Sequence, residues 1–369
     1  NIVIIYYIMY YFRYKEKGGW VKFKMELCRN LNIIYKKNDG QNIYVDPRLE
    51  LLAAVQINAE YPFLSPLSFK YKDNMKTYFS KFKNHKVVGI FNELFNKGFS
   101  YDGPAQLITH LSNDLELQAD YTDKLRPMIT YKEYSLFVGA LKDYYEVTNF
   151  QSFYNDHITL YQKIVNDVAE RVKENKIVDR LEEFFGYSQN SYNIILSPVS
   201  INGGYGLRKD GDNGYDCLAV VGALEVIENM PQFYPKVSYA GYTCDYIFPM
   251  LIWHEFAHSY VNPLTEKFID NVNKYSYLFD PLSEHLSQQG YGSWESFINE
   301  QIIEAIVSKI VSENISVEGA KINLLLDKEY KGLVYLDILY QKLGQYANNR
   351  KKYITFKDFY LELLNIFEN

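Results

Sequence analysis

The segment Ile252-Trp253-His254-Glu255-Phe256-Ala257-His258 decides how the rest of this 369-residue sequence is read. On a helix, residues four apart project from one face, so both imidazoles can reach a single zinc ion. Glu255, one step round, can take a proton from a water that the zinc has acidified. Pro249 suits the first turn of such a helix. Asn262-Pro263 suits its end, because proline disfavours helical geometry in the residue before it. Phe248, Met250, Leu251, Ile252 and Trp253 are apolar, so the helix should be buried, and buried His and Glu without partners would be costly. The competing reading is a pair of core histidines with satisfied hydrogen bonds. With only 6 His in the chain, the HExxH pattern arises by chance in roughly one such composition in a hundred.

A catalytic zinc needs three protein ligands and an open position for water. The longer HExxHxxGxxH pattern fails, since Val261 stands where Gly belongs and Leu264 where the third His would be. The third ligand must come from elsewhere. Downstream, Phe297, Ile298, Ile302, Ala305 and Ile306 recur at helical spacing in a helix that begins near Trp294. Glu300 and Glu304 share one face of it. Glu300 is the expected third ligand, and Glu304 can fix the tautomer of a ligand His by hydrogen bonding. Asp280, Glu284 and His285 compete for the ligand role, and both glutamates also fit an ordinary solvated helix face.

Outward from this site, the composition is globular: 47% hydrophobic, 23% charged, with a net charge of −6. An acidic balance argues against a nucleic-acid partner. The 36 Tyr and 23 Phe share AT-rich codons with Lys, Ile and Asn, so they read as genome bias rather than as a stacking surface. Cys28, Cys217 and Cys244 are too sparse for a disulfide framework or a thiolate zinc site, and fit a reducing, cytoplasmic setting. Residues 1–12 are apolar but too short to span a bilayer, and no basic n-region accompanies them. Residues 1–24 are expected to be translated upstream DNA or an expression artefact. Mass spectrometry of the native N-terminus tests this, and a mature chain starting at Asn1 refutes it.

Strands are expected at Asn32–Tyr35, Ile43–Val45, Tyr192–Leu196 and Cys217–Val221. Asp46-Pro47 should open a helix, with Asp as N-cap and Pro at its first position. Helical periodicity recurs over about 71–97, 104–118, 131–147 and 153–185, and again from about 247 to the end, where Phe356, Phe359, Leu363 and Leu364 mark the last helix. Asn202-Gly203-Gly204-Tyr205-Gly206 reads as a flexible hairpin connection; without a following GK[ST] it is no phosphate loop. The class is α+β, predominantly helical, with a small central sheet and an active-site helix. A mainly helical part at 25–190 precedes a catalytic part at 191–369, unless 25–369 is one continuous domain.

The HExxH run with a later Asn299-Glu300 resembles the gluzincin metallopeptidases, in which a Glu from an Asn-Glu helix motif completes the site. The chain also resembles a bacterial group, domain-of-unknown-function family 4932. The similar stretches are Val45 to Leu52, His85 to Tyr101, Ile194 to Gly206, His254 to Pro263 and Tyr346 to Phe359, so the likeness runs through most of the chain from about 44. It implies a zincin-like catalytic core, a zinc cofactor and a peptide or protein substrate, and for many members export, which is the alternative to a cytoplasmic location.

These readings predict zinc-dependent peptide hydrolysis. His254, His258 and Glu300 hold the metal, Glu255 serves as general base, and Glu304 supports a ligand His. Tyr291, His285 or Tyr205 could stabilise the tetrahedral intermediate. The strand at Cys217–Val221 either presents an edge to an extended peptide or is covered by other elements. The rivals are a zinc-containing binding or structural module and a metal-dependent hydrolase of non-peptide amides or esters.

Overall fold

A computed structural model describes residues 34–38, 41–117, 129–201, 203–223, 242, 247–288 and 291–368. The proposed leader at 1–24, Cys28, Asn32, Ile33, Asn202 and Cys244 lie outside the described residues. Among the described residues, five strands form one mixed sheet: β1 (Ile34–Asn38), β2 (Gln41–Val45), β3 (Ser191–Leu196), β4 (Gly204–Gly211) and β5 (Gly214–Val221). Their order is β1-β2-β3-β5-β4, with β2, β3 and β5 parallel and the outer strands antiparallel to their neighbours. Strands from before and after residue 190 therefore share the sheet. The molecule is α+β and predominantly helical.

Helices α1 (Pro47–Asn58), α2 (Lys70–Phe79), α3 (Lys86–Asn96) and α4 (Gly103–Thr109) follow β2. As the Asp-Pro pair predicts, Asp46 caps α1, its Oδ1 accepting from the Arg48 amide at 2.9 Å. Next come α5 (Tyr131–Thr148), α6 (Phe150–Asp156), α7 (Ile158–Glu174) and α8 (Ile177–Phe185). After the sheet the chain forms α9 (Ile247–Lys267), α10 (Ile269–Asn273), α11 (Ser283–Gln288) and α12 (Trp294–Asn314). It closes with α13 (Val317–Lys331), α14 (Leu336–Asn348) and α15 (Phe356–Leu364).

Three expectations need correction, and one open alternative, the Cys217–Val221 strand, is decided in favour of a covered strand. The helix expected over 104–118 stops at Thr109, because the Ser112 hydroxyl accepts the Asp114 and Glu116 amides at 3.2 and 3.1 Å and closes a turn instead. The Gly-rich segment is no flexible connection: Gly204, Tyr205 and Gly206 open strand β4 and pair with Val221, Val220 and Ala219. The Cys217–Val221 strand presents no edge, since β5 lies between β3 and β4. Its unbroken apolar run is what a strand buried on both faces requires. Finally, Pro263 does not end its helix, which continues to Lys267. Proline cannot donate to the carbonyl four residues back, but the Ser259 carbonyl accepts from Gln189 Nε2 at 3.0 Å. The same Gln189 accepts from the Tyr215 amide at 2.9 Å, tying the helix to the start of β5.

Candidate metal centre

Helix α9 is apolar almost all round. Trp253, Phe256, Ala257 and Val261 are fully buried, and the Trp253 indole donates to the Ile177 carbonyl at 2.9 Å. A helix gripped on both sides presents its two histidines rigidly. Helix α12 crosses it, started by a Ser293 cap that accepts from the Ser296 amide at 3.2 Å. Thr265 of α9 donates to Asn299 of α12 and shares a 2.6 Å bond with the Tyr360 hydroxyl. Asn299 thus fixes the register that brings its neighbour Glu300 to α9.

The three expected ligands converge. His254 Nε2 and His258 Nε2 are 3.2 Å apart. Glu300 Oε2 lies 3.6 Å from the first, and Glu300 Oε1 lies 3.4 Å from the second. Donors about 2.0–2.2 Å from a tetrahedral zinc are separated by roughly 3.3–3.6 Å; the separations here are of about that size, with the two carboxylate oxygens of Glu300 each facing one histidine. The outer ring nitrogens also fit. His254 Nδ1 lies 3.2 Å from Glu304 Oε1, and His258 Nδ1 lies 3.4 Å from Asn262 Oδ1. Both acceptors favour the tautomer with the proton on Nδ1, which leaves each Nε2 lone pair facing the other. Two facing lone pairs and a carboxylate repel one another unless a cation or a proton lies between them. Among the described residues, His254, His258 and Glu300 are the only such group.

The electrostatics follow from that crowding. Burial disfavours the charged imidazole of His254, yet Glu304 and Glu300 outweigh it and raise its pKa to about 10. Burial lowers that of His258. Glu255 is 4% exposed, and burial, reinforced by Glu300 and Glu304, pushes its carboxyl up to about 7. Burial alone would raise Glu304 as well, but Lys331 and His254 hold it well below the usual carboxylate range. Sequence reasoning did not find Lys331. Its Nζ lies 2.6 Å from Glu304 Oε1 and 2.9 Å from Asp327 Oδ1, on a different helix from either histidine.

Strand β4 lies directly against α9. A Cβ on Gly204 would sit 2.6 Å from Glu255 Oε1, and one on Gly206 would sit 2.4 Å from the Glu255 carbonyl and 2.6 Å from His258 Cδ2. Only glycine permits that approach. Because side chains alternate along a strand, Tyr205 projects from the opposite face, where burial and then Tyr61, Asp102 and Glu255 raise its pKa. Tyr291 is half-buried and close enough to feel Glu300, which adds to burial in raising its pKa. Asp280 and Glu284 are exposed and outside the cluster, and the His285 side chain is not among the described ones.

A family model described as a domain of unknown function (DUF4932) matches residues 42–366. The chain belongs to this family. The DUF4932 match takes in β3, β4, β5, nearly all of β2 and every residue of the His-Glu cluster, and leaves β1 outside. No curated protein and no solved structure matches the chain. Among the described residues of this DUF4932 member, no helix is long and apolar enough to cross a membrane.

Proposed function

We propose that this protein is a zinc-dependent metallopeptidase with a zincin-like core. The observation that carries the reading is the convergence of His254, His258 and Glu300 at tetrahedral-edge separations, with Glu255 buried beside them on the same helix. These three residues would hold the zinc, and a bound zinc supplies a Lewis acid that acidifies water and polarises a scissile carbonyl. Glu255 takes the proton from the attacking water and returns it to the leaving amine. Glu304 keeps His254 in the tautomer that offers Nε2. Tyr291, which responds to Glu300, or Tyr205, which responds to Glu255, donates to the developing oxyanion.

The sheet supports a peptide as substrate. Among the described residues β4 is the outermost strand on the side nearest the centre, and its glycines bring its backbone to within contact of Glu255 and His258. An extended chain laid along that edge would pass the metal ligands, its amides paired with the strand.

Metal analysis and turnover test this together. Purified protein should carry one zinc per chain, and Glu255→Gln should keep the zinc while lowering peptide turnover about a thousandfold. Absence of stoichiometric zinc with both histidines intact sinks the site. Zinc without Glu255-dependent cleavage across a broad peptide library leaves a binding module instead.

A further inference from the structure

The centre is braced from outside its own two helices. Lys331 is the last residue of α13, where the chain turns through Gly332 at φ 69°. Its stem is exposed, but its ammonium reaches Glu304, whose side chain is only 8% exposed. From the metal-facing histidine outward, the polar atoms form one line. His254 Nδ1 lies 3.2 Å from Glu304 Oε1, Glu304 Oε1 lies 2.6 Å from Lys331 Nζ, and Lys331 Nζ lies 2.9 Å from Asp327 Oδ1. A lysine at a helix C-terminus is ordinarily explained by the helix dipole, and an i,i+4 pair such as Asp327–Lys331 by surface solvation. Neither explanation accounts for an ammonium aimed at a buried carboxylate on another helix. Lys328, on the same last turn, behaves in the ordinary way and pairs outward with Asp337.

The need for the ammonium is geometric. Glu304 Oε1 is shared between His254 Nδ1 and Lys331 Nζ, at 3.2 and 2.6 Å, so the lysine holds the carboxylate where the ring can donate to it. A carboxylate released from that grip would swing away from His254 Nδ1–H. The ring would then lose its partner at Nδ1 and with it its orientation.

We propose that Lys331, steadied by Asp327, is a positioning residue for the metal centre: it keeps Glu304 an acceptor for His254 and so sets the centre's affinity for zinc. This rests on the three-ligand reading above, though not on peptidase activity. Zinc affinity is measured by competition with a chromophoric chelator. Lys331→Met should bind zinc 10–100-fold more weakly, Lys331→Arg should stay within about threefold of the parent, and Glu304→Gln should match the Lys331→Met loss. The double variant should lose little more than Glu304→Gln alone, since both changes cut one line. Nitrogen-15 and proton spectra of the zinc-loaded protein give a second readout. The His254 Nδ1–H should resonate as a hydrogen-bonded proton in the parent and in Lys331→Arg, and move toward the free position in Asp327→Asn. An unchanged zinc affinity in folded Lys331→Met, or additive losses in the double variant, overturns the proposal while sparing the ligand set. A parent chain that binds no zinc overturns both.

Discussion

Glu50 and Glu304 are two glutamates sealed inside one molecule, and they are treated in opposite ways. Glu50, on α1, is fully buried; its carboxylate accepts from the Tyr71 hydroxyl and, at 2.6 Å, from Ser197 Oγ. Tyr71 in turn meets the Tyr161 hydroxyl at 2.8 Å, so the group joins α1, α2, α7 and the end of β3. Among the described residues its hydrogen-bond partners are hydroxyls, and burial, with a smaller push from Asp46, raises its carboxyl to about 7. Glu304 is 6% exposed, but Lys331 and His254 hold it ionised. Burial acts alike on both; the charge of the partner decides the outcome. A neutral acid with hydroxyl partners is a pin between segments. An anion wedged between an ammonium and an imidazole can tune a metal ligand.

The sharpest test of this contrast is zinc itself. Glu300→Gln should weaken zinc binding more than about 100-fold, whereas Glu50→Gln should leave it within about threefold, both by chelator competition. If Glu50→Gln also abolished zinc binding, the two clusters would be one unit.

A smaller effect separates them in metal-free protein unfolded by urea at a series of pH values. Glu50 has its pKa raised in the fold, from 4.5 to about 7. Its contribution is therefore fully present below about pH 4.5 and is lost as pH rises through about 7. The loss is on the order of 3 kcal/mol, and Glu50→Gln should flatten that limb. Glu304 has its pKa lowered. Its contribution is present above pH 4.5 and disappears as pH falls, so Glu304→Gln should flatten the acid limb only. Equal slopes for both variants would erase the distinction.

Smallest of the three, Tyr71→Phe removes one of the two hydroxyls on Glu50 and should cost about 1–2 kcal/mol at neutral pH. It should also move the stability loss to higher pH, because that hydrogen bond lowers the Glu50 pKa.

Much of the site was legible because its parts are local. Residues four apart on α9 and α12 announce a shared face, and the apolar spacing of Phe297, Ile298, Ile302, Ala305 and Ile306 announces α12 itself. What stayed hidden depends on distant partners. Nothing near Pro263 reveals that Gln189 will take up the stranded Ser259 carbonyl, so the proline read as a terminus. Gly204 and Gly206 looked like a loop because glycine signals both slack chain and close approach, and only the position of α9 separates the two. Lys331 was invisible for the same reason: its role appears once α13 has folded back on α12.

The two glycines also constrain movement. Glu255 and His258 rest on bare backbone, and Arg208 of β4 pairs with Glu266 of α9. Strand and helix are therefore keyed to each other and move as one body. Glu300, Glu304 and Lys331 meet the His-Glu cluster from α12 and α13 through longer side chains, so small adjustments of the cluster fall to that side.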